Sequence, residues 1–228
     1  MINIEDRKEY TAFTQKYQPS EFISLTNLEL IPLKRFKLTD ISDLADNADK
    51  LLYLKRLILC DNCLSKLSLF NFISLKIIDA SRNLITNCSL SLPKLAILNL
   101  SRNMLNSFPK LTKLPMLSEL YLSGNSIKVM KADFIEPVRK TLKILDISYN
   151  KIEFKAVDFI NFIESLKLFY LKSFAIEGNE FLERNNSLRK NYKMFIIASL
   201  RLVQSFNHEM VTIDKNNISE DELKAQMF

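Results

Sequence analysis

The sequence predicts an α/β solenoid. Short strands stack side by side into one parallel sheet, compact 3₁₀ or helical connections run behind it, and helical segments close both ends. Three observations predict this. An eleven-residue frame, clearest at residues 95–105 (Leu-Ala-Ile-Leu-Asn-Leu-Ser-Arg-Asn-Met-Leu), recurs along most of the 228 residues, and short-period self-similarity is the signature of a repeat array. An asparagine holds the ninth place of the last six copies. The spacing between successive ninth places runs 21, 21, 20, 22, 25 and 29 residues, which leaves little room for full helices between strands.

The frame reads L-x-x-L-x-L-x-x-N-x-L. Its first place falls at Leu33, Leu54, Leu75, Leu95, Leu117, Leu142 and Leu171. The fourth is Phe36, Leu57, Ile78, Leu98, Leu120, Leu145 and Phe174, and the sixth is Leu38, Leu59, Ala80, Leu100, Leu122, Ile147 and Ile176. The ninth is Ile41 in the first copy, then Asn62, Asn83, Asn103, Asn125, Asn150 and Asn179. Alternation through the central residues places the apolar side chains on one side of a short strand and the x residues on the other. The turn that follows leaves backbone groups facing inward, and an asparagine side chain can both donate to them and accept from them. The asparagines are therefore expected to hold the fold and to do no chemistry.

The remaining elements follow in chain order. Residues 3–17 suit a short helix with Tyr10, Phe13 and Tyr17 on one side, stopped by Pro19, the apolar segment Leu25 to Ile31 suits an irregular strand before the first frame, and residues 1–32 together read as an N-terminal cap. Residues 33–189 carry the repeats, the first of them degenerate. In the third intact connection, Phe108, Leu111, Leu114 and Leu117 put an apolar residue at every third place, a period that suits 3₁₀ turns. Pro93 and Pro115 precede strands, where the missing N–H does no harm. Residues 156–168 suit a true helix carrying Val157, Ile160, Ile163 and Leu166 inward. The two glycines, Gly124 and Gly178, each precede a ladder asparagine, where the turn can demand an unusual backbone conformation. Residues 190–228 form a C-terminal cap, and Ser219 with Glu222 is a capping-box signal for a short last helix.

On this frame the chain resembles the leucine-rich repeat proteins, whose fold is a right-handed horseshoe with its parallel sheet on the concave side. The C-terminal segment narrows the resemblance. Tyr192-Lys193-x-Phe195-Ile196-x-x-x-Leu200-Arg201-x-Val203-x-x-Phe206-Asn207, followed by Val211-Thr212, is similar to the cap of short-repeat intracellular members. Those typically read Y-R-x-x-V-I-x-x-L-P-x-L-x-x-L-D, so Arg201 and Asn207 depart from the pattern. Members with this cap include a phosphatase regulatory subunit, a dynein light chain and other axonemal subunits, and a spliceosomal A-prime subunit. The resemblance implies a non-enzymatic module that binds another protein.

Composition agrees with a globular, water-facing array. The chain is 47% hydrophobic and 25% charged, with a net charge of +6 that permits an acidic partner without demanding one. The N-terminus lacks the basic start and apolar run of a signal peptide. The most apolar stretch, around 156–176, is broken by Asp158, Glu164, Lys167 and Lys172 and does not suit a membrane span. The three cysteines, Cys60, Cys63 and Cys88, are an odd number without paired flanks, which favours a reducing intracellular compartment. Cytoplasm is the expected location, with cilium or nucleus as the variants.

Catalytic constellations are missing from the sequence. Isolated glycines make neither a phosphate-cradling loop nor a dinucleotide fingerprint, and His208 is the single histidine. Cys60-Asp61-Asn62-Cys63 is a C-x-x-C match, but zinc wants four ligands and a redox role wants a following helix N-terminus. No cofactor, metal, membrane or small-molecule substrate is expected.

Function is then expected on the outward x residues of the strands. The candidate face consists of Arg35, Lys37, Arg56, Ile58, Ile77, Asp79, Ile97, Asn99, Glu119, Tyr121, Ile144 and Asp146. It reads as basic at its N-terminal end, with exposed isoleucines and Tyr121 in the middle and acids toward the C-terminal end. An apolar centre with a charged rim is how protein interfaces are built, although β-branched residues favour strands in any case. The first expectation is a partner helix or loop in the concavity, with the protein acting as scaffold or structural subunit. The alternative is a ribonucleoprotein component that uses its basic N-terminal end.

Overall fold

A computed structural model describes residues 30–35, 37–130, 132–154, 158–159, 161–162, 171–184, 190–193, 196, 212–213 and 216–217. In chain order the strands are β1 (Leu30–Pro32), β2 (Arg56–Ile58), β3 (Lys66–Phe70), β4 (Ile77–Asp79), β5 (Asn87–Ser91) and β6 (Ile97–Asn99). After them come β7 (Glu119–Tyr121), β8 (Ile144–Asp146), β9 (Ser173–Ala175), β10 (Thr212–Ile213) and β11 (Asn216–Asn217). Two short α-helices, α1 (Ser42–Asp46) and α2 (Glu180–Arg184), and 3₁₀ turns at Ala48–Lys50 and Ala132–Val138 complete the described elements. One sheet runs β1-β2-β4-β6-β7-β8-β9-β10-β11. Its pairs are parallel up to β10, and β10 pairs antiparallel with β11. The chain is a parallel-strand solenoid.

The frame explains the core. The first, fourth and sixth places of the last six copies are all fully buried, from Leu54, Leu57 and Leu59 through to Leu171, Phe174 and Ile176. Each strand thus contributes one inward side chain and two outward ones, and burial of the inward residue supplies the driving force. Behind the sheet, Leu111, Leu114 and Leu117 are buried, and the Leu114 and Leu117 amides donate to the carbonyls three residues back. That is the 3₁₀ geometry the three-residue period predicts.

The convex side also contains strands, which the sequence reading did not anticipate. β3 and β5 pair in parallel as a separate two-stranded sheet. Leu67 and Leu69 face the core in alternation, and short alternating runs with one apolar face are what a strand needs.

The first repeat needs a correction. Leu30–Pro32, at the end of the segment expected to add an irregular strand before the first frame, is the first repeat's sheet strand, pairing Leu30 with Arg56 and Pro32 with Ile58. The frame therefore starts five residues earlier than read, and Leu33 and Leu38 take the sixth and eleventh places. Asn62 confirms this register: its amide donates to the Leu33 carbonyl and its oxygen accepts from the Leu38 N–H. The misreading has a physical reason. Leu33 and Leu38 fit an apolar slot in either register, and no asparagine marks the ninth place. Phe36, read as the fourth place, lies outside the described residues. So do the 3–17 helix, Val157, Ile160, Ile163, Leu166, His208 and the last helix.

Within the long connection, residues 158–159 and 161–162 are helical, and Phe159 and Phe162 are buried. They gather with Phe154, Phe174 and Phe181 into an aromatic cluster with centroid separations of 5.1–6.2 Å, the range in which aromatic rings attract. Tyr192 and Ile196 are buried as well.

A backbone column runs along the turns after the strands. Arg35, Asp61, Arg82, Arg102, Gly124, Tyr149 and Gly178 all have positive φ, between 52° and 70°. Five side-chain-bearing residues tolerate this, so the conformation alone does not require glycine. At Gly178 a second reason exists: a Cβ there would meet Tyr149 Cδ1 at 2.5 Å, whereas at Gly124 it would meet Arg102 Cγ at 3.3 Å. Gly124→Ala should therefore cost about 1–2 kcal/mol from backbone strain, and Gly178→Ala should cost more because the Tyr149 ring must move. Urea unfolding with a Tyr149→Ser, Gly178→Ala double variant checks this. The double variant should recover part of the loss, and strict additivity would mean that the ring is not the obstacle.

Candidate functional site

The candidate face is the outward side of β2, β4, β6, β7, β8 and β9. Registered pairing lines its side chains into two columns. One column is Arg56, Ile77, Ile97, Glu119, Ile144 and Ser173. The other is Ile58, Asp79, Asn99, Tyr121, Asp146 and Ala175. Ten of the twelve predicted residues stand in these columns. Arg35 and Lys37 do not, because Leu30 and Pro32 hold their register positions; both lie exposed in the turn after β1, with positive φ.

Burial corrects a second expectation. Ile58, Ile77, Ile97 and Ile144 are half-buried, not exposed. Strands about 4.8 Å apart bring column neighbours into contact, so each isoleucine covers part of the next. Arg56 is exposed.

Three polar residues of the second column have structural work. Asp79 Oδ1 accepts from the Ser81 N–H at 3.0 Å and from its hydroxyl at 2.7 Å. Asp146 does the same with Ser148, at 3.0 and 2.6 Å. Asn99 Oδ1 accepts from the Ser101 N–H at 3.0 Å. Such side-chain bonds to the backbone two residues on fasten a turn. The Asp/Asn-x-Ser spacing was the available signal, and it makes these residues braces as well as surface groups.

Tyr121 sits in the middle. Its hydroxyl donates to Glu119 Oε2 at 2.8 Å on the same strand. Burial first, then that hydrogen bond, then the charges of Glu119 and Asp146 push the phenol up to about 12. It therefore remains a protonated donor at neutral pH.

At the basic end, Asp61 gathers three cations. Arg82 NH1 lies 3.2 Å from Oδ1, Arg35 Nε 3.8 Å and Lys34 Nζ 4.0 Å from Oδ2. All three cations are at least half exposed, so the pairs add little stability. Their consequence is a local surplus of positive charge on the ridge of turns.

The three cysteines are free thiols. Of the C-x-x-C pair, Cys60 is buried and Cys63 exposed. Burial, aided by the charge of Asp79, raises the Cys60 thiol, and burial raises the Cys88 thiol to about 12. Raised thiols are poor nucleophiles. Among the described residues no group of three or more His, Cys, Asp or Glu is placed to hold a metal, and no helix is long and apolar enough to cross a membrane.

This arrangement defines a class: a parallel-strand solenoid of the leucine-rich repeat type with an open, side-chain-lined concave sheet. Known structures agree on the fold. The chain is similar to a leucine-rich repeat protein of Leptospira interrogans (20% identity, TM-score 0.58, covering 91% of this chain and 60% of that one). It is also similar to a chain of the LRIM1/APL1C complex (21% identity, TM-score 0.55, 72% and 32%). A third likeness is to a chain of the TLR13–ssRNA13 complex (22% identity, TM-score 0.55, 78% and 24%). The chain thus spans less than two thirds of each of these proteins. The sequence has no match among protein-family models or among curated proteins.

Proposed function

We propose that the protein is a non-enzymatic interaction module that docks a helix or loop of another protein on its concave sheet, as a scaffold or structural subunit of a larger intracellular assembly. One observation carries this reading. The centre of the face is a half-buried apolar strip, Ile77 and Ile97 in direct register, beside a tyrosine whose hydroxyl is bonded to Glu119. A rigid sheet pays little ordering entropy on binding, and pre-set aromatic and apolar anchors near the middle of an interface carry most of the affinity. The resemblance to short-repeat intracellular members supports the same reading and extends it to a ciliary or axonemal assembly. The dual roles of Asp79, Asn99 and Asp146 as turn braces leave Tyr121, Ile97, Ile77 and Ile144 as the principal anchors.

A ribonucleoprotein role is the second reading, favoured by the surplus charge around Asp61 and by the net +6. Substitution separates the two. Tyr121→Ala with Ile97→Ser should lower affinity for a captured partner by about 2 kcal/mol or more, with the melting temperature nearly unchanged. Arg56→Glu should weaken capture only modestly, since rim charges chiefly steer encounter. The reverse ranking, together with binding that falls steeply with salt, would reject protein docking in favour of RNA.

A further inference from the structure

The charge of the candidate face changes along the solenoid axis. Over the first repeats the ridge of turns carries Lys34, Arg35 and Arg82 around the carboxylate of Asp61, with Arg102 next along it and Asp79, whose carboxylate is bonded to Ser81, in the column beside them. The ridge residues are in backbone contact from repeat to repeat: the Arg35 N–H bonds the Cys60 carbonyl, the Asp61 N–H that of Ser81, and the Arg82 N–H that of Ser101. Arg35, Asp61, Arg82 and Arg102 therefore follow one another along one edge, three cations to one acid. Farther along, the same ridge positions are Gly124, Tyr149 and Gly178, and the columns beside them hold Glu119 and Asp146. Between the two ends lie Ile77 and Ile97. Lys143 and Lys172 belong to the opposite edge of the sheet, where the strands begin, and do not interrupt this gradient.

We infer that the occupant is a protein segment with carboxylate side chains at one end, apolar side chains in its middle and Lys or Arg at the other. It lies along the solenoid with its acidic end over the Lys34–Arg102 ridge and its basic end toward Glu119 and Asp146. Charge complementarity argues for this occupant: a uniformly acidic chain, nucleic acid included, gains at the ridge and loses at Glu119 and Asp146, while a uniformly basic one does the opposite. Like-charge juxtaposition across an interface is costly and rejects wrong partners. This inference rests on the docking reading above and adds direction to it.

A synthetic peptide set tests it. Every peptide shares a leucine-rich centre, and its two ends are independently glutamate-, serine- or lysine-rich. Peptides with one glutamate end and one lysine end should bind tightest, and those with two lysine or two glutamate ends should bind roughly tenfold or more weakly. The Arg82→Glu, Arg102→Glu variant, checked for an unchanged melting curve, should abolish the preference for a glutamate end. A spin label at the glutamate end should broaden amide signals near Arg82 and leave those near Tyr149 sharp.

The outcomes separate the two claims. Peptide binding lost with Tyr121→Ala and Ile97→Ser but indifferent to end charge would overturn the polarity and leave the docking reading standing. Binding sensitive to charge but indifferent to those anchors would overturn both. An oligouridine RNA that binds tighter than every peptide and is released by the arginine variant would also overturn both, as would a peptide set with no binder.

Discussion

Replacing Phe174 with alanine is expected to lower stability by about 3–5 kcal/mol, the usual cost of emptying a buried phenylalanine site. Phe174 is fully buried at the centre of β9, in register with Leu145 on one side and Ile213 on the other, with its ring 6.2 Å from that of Phe162. It joins the last repeat to the β10 strand that extends the sheet. Repeats contact only their neighbours, so stability is close to a sum of local terms. The loss should appear first at the C-terminal end, as faster amide exchange in β9 and β10 than in β4 and β6. Phe70→Ala is the control, because that ring is 41% exposed, and it should change little. A Phe174→Ala melting curve that overlays the wild type would mean that the last frame is misplaced.

The legible part of the fold was the part in which one residue type has one job. Asparagine at the ninth place is such a case, since few side chains could accept from the preceding repeat's turn and donate both to that turn and to their own from a buried site. Where that marker is missing, the register was lost. The first copy offered no asparagine, and Leu33 and Leu38 satisfy either alignment equally well. The convex strands at Lys66–Phe70 and Asn87–Ser91 were missed for a related reason. Leu67 and Leu69 alternate over too few residues to distinguish a strand from an irregular connection. The three-residue period at Leu111, Leu114 and Leu117 was long enough to read, and i→i+3 bonds are found there.

The candidate face was legible in outline and less so in chemistry. Column membership follows from alternation, so ten of the twelve residues stand where alternation puts them. What alternation cannot convey is a side chain's second partner. Asp79, Asn99 and Asp146 look like free surface groups in a column, yet each uses an oxygen to fasten its own turn. Arg102 was not among the chosen residues because it follows the strand. The sequence already sets it in one column with Asp61 and Arg82, the place before each ladder asparagine, and the shared positive φ gives those turns one conformation.

That ladder supplies the prediction with the clearest sign. Asn103 Oδ1 accepts from the Ile85 N–H at 3.0 Å, and its amide donates to the carbonyls of Ala80 and Leu100, each at 3.0 Å, and of Ser101 at 3.4 Å. Asn103→Ala removes all of these and should cost about 1–3 kcal/mol for the stranded polar groups. Asn103→Asp keeps the shape and the acceptor but turns an ionised oxygen toward three carbonyls. At neutral pH this variant should lose about 3–5 kcal/mol, the cost of a buried charge without a partner, and so be worse than alanine. Its pH dependence has a defined direction. Desolvation and the facing carbonyls disfavour the charged form, so the folded-state pKa of the introduced carboxyl lies above the unfolded value of about 3.9. Between those two values the folded protein holds the extra proton, and stability falls as pH rises. Below about pH 4 the protonated acid can donate one of the lost bonds, and the gap between the aspartate variant and wild type should narrow. Urea unfolding of both proteins across that range decides the matter. A gap that stays constant, or widens as pH falls, would mean that residue 103 does not face the carbonyls of the neighbouring repeat.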